Sequence, residues 1–158
     1  TRMPALGEEL TLTGLSAVRR TEAIANATHI EVIPGCLKGR VIDRYPNGRD
    51  RTMLPGPCLA VECGARGGMS GGPVFDERGY LVGTVSSSYE GDDVAFVSHI
   101  WPALVRAQAW PVWPPDPYPR PKPATLLHLG KQFGVVIERA DAFELCIHNG
   151  ELSLRYNA

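Results

Sequence analysis

Seventeen glycines and fourteen prolines interrupt this 158-residue chain so often that long helices have little room to form. The expectation is an all-β architecture of short strands joined by turns. Residues Glu8–Leu15 (EELTLTGL) alternate polar and apolar, as a half-buried strand does. His29–Ile33 and Leu37–Tyr45 repeat that character, and Tyr45-Pro46-Asn47-Gly48-Arg49 is turn chemistry. Met53–Leu54 and a short strand at Cys58–Cys63 follow. Pro73–Phe75 and Tyr80–Ser88 read as a hairpin about Asp76-Glu77-Arg78-Gly79, and Val94–Ser98 as a further strand. Residues 101–109 (WPALVRAQA) read as a helix with Pro102 in its first turn.

Three segments are expected. Residues 1–110 form the main β unit and 111–124 a proline-rich linker or strap. Residues 125–158 form a small β-hairpin appendage. Residues 111–123 hold seven prolines, which stiffen the segment into an extended spacer or a strap on the surface. In the tail, Gly134–Glu138, Phe143–His148 and Glu151–Tyr156 look like strands, the last two joined at the favoured hairpin turn Asn149-Gly150. So short a tail must dock on something to bury a core.

Charge argues against nucleic acid as a partner, since 16 basic residues face 17 acidic ones. No apolar run reaches the length of a membrane span, and no signal-peptide pattern opens the chain. Its first residue is Thr1, as in a processed or truncated product. The cysteines Cys36, Cys58, Cys63 and Cys146 fit no common zinc spacing. Cys58 and Cys63, an odd offset apart in one strand, should face opposite sides. Free buried thiols are preferred to a disulfide, which favours a cytoplasmic setting.

The chemistry lies in Gly67-Gly68-Met69-Ser70-Gly71-Gly72-Pro73. Acyl transfer needs a serine in a tight turn where two N–H groups converge on one point. Glycines on both sides permit the unusual dihedrals and clear the Cβ atoms from a substrate's approach. Each converging donor stabilises a developing oxyanion by about 3 kcal/mol. The alternatives are a plain glycine-rich loop or a phosphate cradle. A phosphate loop wants a Lys and a helix behind the glycines, whereas here a strand follows and no Lys appears.

These residues resemble the trypsin-like serine peptidases, in particular bacterial members without the vertebrate disulfides. The resemblance runs through Gly68-Met69-Ser70-Gly71-Gly72-Pro73-Val74 and Gly79-Tyr80-Leu81-Val82-Gly83-Thr84-Val85-Ser86. It continues through Val94-Ala95-Phe96-Val97 and the helix after it, and upstream through Leu6-Gly7-Glu8-Glu9-Leu10 and the Gly14 turn. It covers about residues 5–110. What it implies is the second Greek-key β-barrel of the chymotrypsin-like fold with a closing helix. Ser70 is implied as nucleophile, and the N–H groups of Gly68 and Ser70 as the oxyanion hole. Val85, Ser86, Ser87 and Ser88 would pair with an extended peptide or protein substrate, while Gly64, Ala65, Arg66 and Val94 would line the primary specificity pocket. With no acid at Gly64 and a bulky Val94, a small or apolar side chain is expected there rather than Lys or Arg. Arg66 faces solvent, or else an acidic group of the substrate. Met69 stands where many members carry the Asp used in zymogen activation, so that route is not expected. No metal or organic cofactor is implied.

A serine hydroxyl also needs a base, and the base an orienting partner. The family carries both its His and its Asp on the first barrel, before the serine, and this chain starts where the linker to the second barrel belongs. His29 reads as structural or surface-lying. His99 sits before the helix in a capping position, and His128 and His148 belong to the tail. A docked tail with Asp141 or Asp116 could in principle supply a base. The simpler expectation is an N-terminal barrel on the same precursor or on a separate chain. The competing function is a pseudo-peptidase that kept the cleft, lost the base and binds a protein partner.

Overall fold

The computed structural model describes residues 2–24, 27–88, 93–106, 108–109, 124–135, 143–148 and 151–156. Six antiparallel strands close a barrel: β1 (Glu9–Ile24), β2 (Ala27–Tyr45), β3 (Cys58–Glu62), β4 (Pro73–Asp76), β5 (Leu81–Ser88) and β6 (Val94–His99). Their order around the wall is β1-β2-β3-β6-β5-β4. Closure comes from β1 against β4, with Leu10 opposite Asp76, Thr11 opposite Phe75 and Leu12 opposite Val74.

Period-two alternation sends one set of side chains inward. Leu10 and Leu12 of β1, Val41 of β2, Val61 of β3, Val74 of β4 and Val97 of β6 fill the interior, each 1% exposed or less. Each contributes roughly 1.5–3 kcal/mol by leaving water. Strand β3 is buried on both faces. Leu59, Val61 and the following Cys63 point into the barrel. Cys58 and Ala60 point outward into a smaller cluster with Leu54 and Phe96. The two thiols therefore lie on opposite sides of the wall, as their spacing predicts, and burial pushes both above the usual thiol range. Cys36 departs from the expectation of buried thiols: it is free but exposed, on the outer face of β2. The side chain of Cys146 lies outside the described residues.

The outer cluster is roofed by the loop after β2. Gly48, at φ 83°, turns the chain as the Asn-Gly pair predicts. Asp50 then organises the loop by accepting the amides of Thr52 (2.9 Å) and Met53 (2.6 Å). Those donors, the Met53 amide foremost, lower its carboxyl to about 2. The Arg49 guanidinium lies 4.2 Å from the centre of the Phe96 ring.

The two short strands expected at 29–33 and 37–45 are one strand, β2, which runs through Pro34 and Gly35. Its partner β3 begins pairing only at Arg40, so Pro34 sits where β2 has a single neighbour and a missing N–H is tolerated. Beyond the barrel, β1 and β2 continue together as a two-stranded arm, with a bulge between Leu15 and Ala17.

The helix expected over 101–109 is shorter. Helix α1 (Trp101–Arg106) stops, and β7 (Gln108–Ala109) pairs with β8 (Ala124–Thr125). The proline-rich residues 111–123 lie outside the described residues. Of the strand expected over Gly134–Glu138, Gly134 and Val135 are not strand, and residues 136–138 lie outside the described residues. A helix, α2 (Leu126–Gln132), precedes Gly134, capped by the Thr125 hydroxyl, which accepts the His128 N–H at 3.2 Å. Gly134, at φ 76°, closes that helix. Leu127 of α2 rests on the barrel core beside Leu104 and Val105 of α1. The hairpin of β9 (Phe143–His148) and β10 (Glu151–Tyr156) matches the expectation, with His148 opposite Glu151.

At the far end of β4 from Ser70 the N-terminal segment is pinned down. The Arg2 guanidinium bridges Glu8 and the buried Asp76, and Met3 enters the core. His99 lies beside it, 4% exposed. Its Nδ1 accepts the Trp101 N–H at 3.2 Å, so Nε2 carries the proton and donates to the Arg2 carbonyl at 3.3 Å. Burial lowers this imidazole from 6.5 to about 4. The unfolded chain thus takes up a proton below pH 6.5, which the folded one resists until about pH 4. Stability falls as pH drops through that window, by on the order of 3 kcal/mol in full. Urea midpoints measured from pH 7 to 4.5 should show that loss, and His99→Gln should remove this component. Parallel slopes for the two proteins would contradict it.

Candidate active site

The glycine-rich segment is a loop, held from three sides. From below, Met69 is 1% exposed and plugs into the barrel core. Within the loop, Met69 N–H donates to the Arg66 carbonyl (3.1 Å) and Gly72 N–H to the Met69 carbonyl (3.0 Å), two consecutive tight turns. From β5, the Val85 carbonyl accepts Gly71 N–H at 2.7 Å while Val85 N–H donates to Gly72 at 2.9 Å. Gly68 and Gly71 take φ of 96° and 84°, a region side chains resist. Ser70 stands between them, exposed.

The loop's donors divide into two groups. The amides of Met69, Gly71 and Gly72 are engaged as above. Among the described residues, the amides of Gly68 and Ser70 have no protein acceptor. The Ser70 hydroxyl donates to the Ser86 carbonyl at 3.4 Å, a long contact that leaves it accessible. An exposed hydroxyl beside two unengaged amides is part of what an acyl-transfer centre requires, the other part being a base.

Strand β5 supplies the neighbouring wall. Its ladder with β4 ends at Thr84, opposite Pro73, while its ladder with β6 runs on to Ser88. Residues 86–88 therefore present an edge with no β4 strand beside it, where an extended chain can pair. A bulge between Val85 and Ser87 makes Ser86 the extra residue. The Ser86 hydroxyl meets that of Ser98 at 2.5 Å.

Not every residue expected at the site faces it. Val85 is 3% exposed and part of the core. With both backbone groups tied to Gly71 and Gly72, it supports the Ser70 loop and offers nothing to a substrate. Val94 is half-buried and packs on the outer cluster around Phe96. Ala65 is partly buried against the core, Gly64 and Arg66 are exposed, and Ser86 and Ser87 are partly exposed. The side chain of Ser88 lies outside the described residues. Among histidines, His99 has both nitrogens bonded elsewhere, and His128 is exposed on α2. Neither His99 nor His128 hydrogen-bonds Ser70, and the side chains of His29 and His148 lie outside the described residues.

Sequence reasoning missed two features. Asp93 places its Oδ1 3.6 Å from where a Gly64 Cβ would stand, so an acid does lie beside that glycine. No local pattern reveals this, because the two residues meet only through the β3–β6 pairing. The second is the contact of β1 with the loop, taken up below. No cluster of candidate metal ligands occurs among the described residues, and among them no helix is long and apolar enough to cross a membrane. Neither the comparison with protein-family models nor that with curated proteins finds a match for this chain.

Proposed function

We propose that this chain is the nucleophile-bearing second barrel of a chymotrypsin-like serine endopeptidase. Ser70 Oγ attacks the carbonyl carbon of a peptide bond lying along Ser86–Ser88, and its proton passes to a histidine supplied by a partner barrel. The carbonyl oxygen becomes an oxyanion held by the amides of Gly68 and Ser70. When the C–N bond breaks, the leaving amine takes the proton, and water then hydrolyses the Ser70 ester. The single observation that carries this reading is Ser70, exposed between two positive-φ glycines with its own amide and that of Gly68 unengaged. Asp93 beside Gly64 weakens the expectation that basic side chains are excluded from the pocket.

A second reading, a protein-binding pseudo-peptidase, draws support from His99 and His128, the two histidines whose side chains are described, neither of which bonds Ser70. A fluorophosphonate probe separates the two. The native protein, isolated with whatever partner accompanies it, should form an adduct on Ser70, and Ser70→Ala should reduce labelling by at least about a thousandfold. A native protein that stays unlabelled but still binds peptides would favour the binding module.

A further inference from the structure

We infer that residues 13–15 of β1 are the seat that shapes the Ser70 loop, and that Thr13 is a positioning residue for Ser70. The inference rests on the peptidase reading for its consequence, though not for its geometry. Three glycines mark the contact. A Cβ at Gly72 would stand 1.9 Å from the Thr13 carbonyl oxygen, one at Gly14 2.8 Å from Met69 Cα, and one at Gly68 2.6 Å from the Leu15 carbonyl oxygen. Each approach is closer than two non-bonded heavy atoms allow. Backbone therefore lies directly on backbone, with residues 72, 69 and 68 meeting 13, 14 and 15 in antiparallel order.

This order continues the closing ladder of the barrel. The last β1–β4 pair is Leu12 with Val74. One step on, the Thr13 hydroxyl donates to the Pro73 carbonyl at 2.9 Å. Proline has no N–H with which to extend the ladder in the usual way, so a side chain makes the tie instead. From there the loop lies along β1 as far as Leu15 before it departs. Among the described side chains, those of Glu9–Leu15 in β1, the Thr13 hydroxyl makes the one side-chain hydrogen bond to the segment from Arg66 to Pro73. The remaining contacts are close packing, which locates the loop across β1 but resists sliding along it weakly. The hydroxyl fixes the register of the loop on its seat, and with it the direction of the Gly68 and Ser70 amides.

Thr13→Val keeps the shape and removes the hydroxyl, and Thr13→Ser restores it without the methyl. Because Thr13 is not in the core, both variants should fold, and the Val variant should melt within about 3 °C of the parent. In Thr13→Val the NMR amide signals of Gly68, Ser70 and Gly71 should move, and fluorophosphonate labelling of Ser70 should slow about tenfold, since small misplacements of reacting groups are costly. Thr13→Ser should return both. Amide signals and labelling rate unchanged in Thr13→Val would overturn the inference, as would a Ser variant that fails to rescue. If the amides move and return while even the parent is never labelled, the seat stands and the peptidase reading falls.

Discussion

Replacing Asp76 with alanine is expected to lower the stability of the barrel by about 3 kcal/mol, the largest loss we anticipate from truncating a polar side chain. The Asp76 side chain is wholly buried at the end of β4. Oδ1 accepts the amides of Arg78 and Tyr80, both at 2.9 Å, and so shapes the β4–β5 turn. Oδ2 accepts Nε of Arg2 at 2.9 Å, which fastens the N-terminal segment across the foot of the barrel. Alanine removes the acceptor that the turn's amides share and leaves Arg2 with Glu8. The figure stays at the low end for a broken buried pair because the Arg2 side chain retains 20% of its exposure. For a unit of this size the melting temperature should fall by roughly 10 °C. Asp76→Asn, which keeps Oδ1, should lose less than half as much. Equal losses in the two variants would show that the charge with Arg2, and not the turn, carries the effect.

Gly72→Ala should cost about as much in stability and far more in activity. Its new methyl would stand 1.9 Å from a backbone oxygen that belongs to a barrel strand and has no rotamer by which to yield. The loop must move instead. Gly72 is bonded to Met69 through its amide and to Val85 through its carbonyl. Displacement therefore breaks the inner turn and the tie to β5 together. We expect a loss of about 2–3 kcal/mol, the upper range for overpacking, and Ser70 labelling at least about a hundredfold slower. A Gly67→Ala control, where a Cβ meets nothing within 4 Å, should leave stability nearly unchanged. If the two alanines behave alike, the loop does not lie on β1 as described.

The contrast between Gly67 and Gly72 also shows what could be read from the chain. The glycines around Ser70 announce a loop with unusual dihedrals, and φ at Gly68 and Gly71 bears that out. They do not announce which of them is needed for dihedral freedom and which for a neighbour's approach. Gly72 serves the second purpose, and the neighbour is Thr13, far away in sequence. Alternation in Glu8–Leu15 exposed that strand, and the odd offset between Cys58 and Cys63 in a strand-like run exposed their opposite faces, because side-chain period is a local property. Pro34 and Gly35 hid the continuity of β2, since a proline that breaks a central strand is harmless beside an unpaired edge. Helix α2 was hidden by its brevity, its signal being the Thr125 cap and the Gly134 stop rather than a long apolar stripe. The resemblance sets Val85 with Ser86–Ser88 along a substrate, whereas its register opposite the buried Val97 turns it to the core and leaves its backbone to hold the Ser70 loop.

A crystal structure of the native protein carrying a peptidyl phosphonate would decide whether one hydroxyl and two amides address the same point in space. The account predicts a bond from Ser70 Oγ to phosphorus, with one phosphoryl oxygen about 2.7–3.1 Å from both Gly68 N and Ser70 N and the peptide paired along Ser86–Ser88. A phosphoryl oxygen turned toward bulk water, or a probe attached anywhere but Ser70, would contradict it.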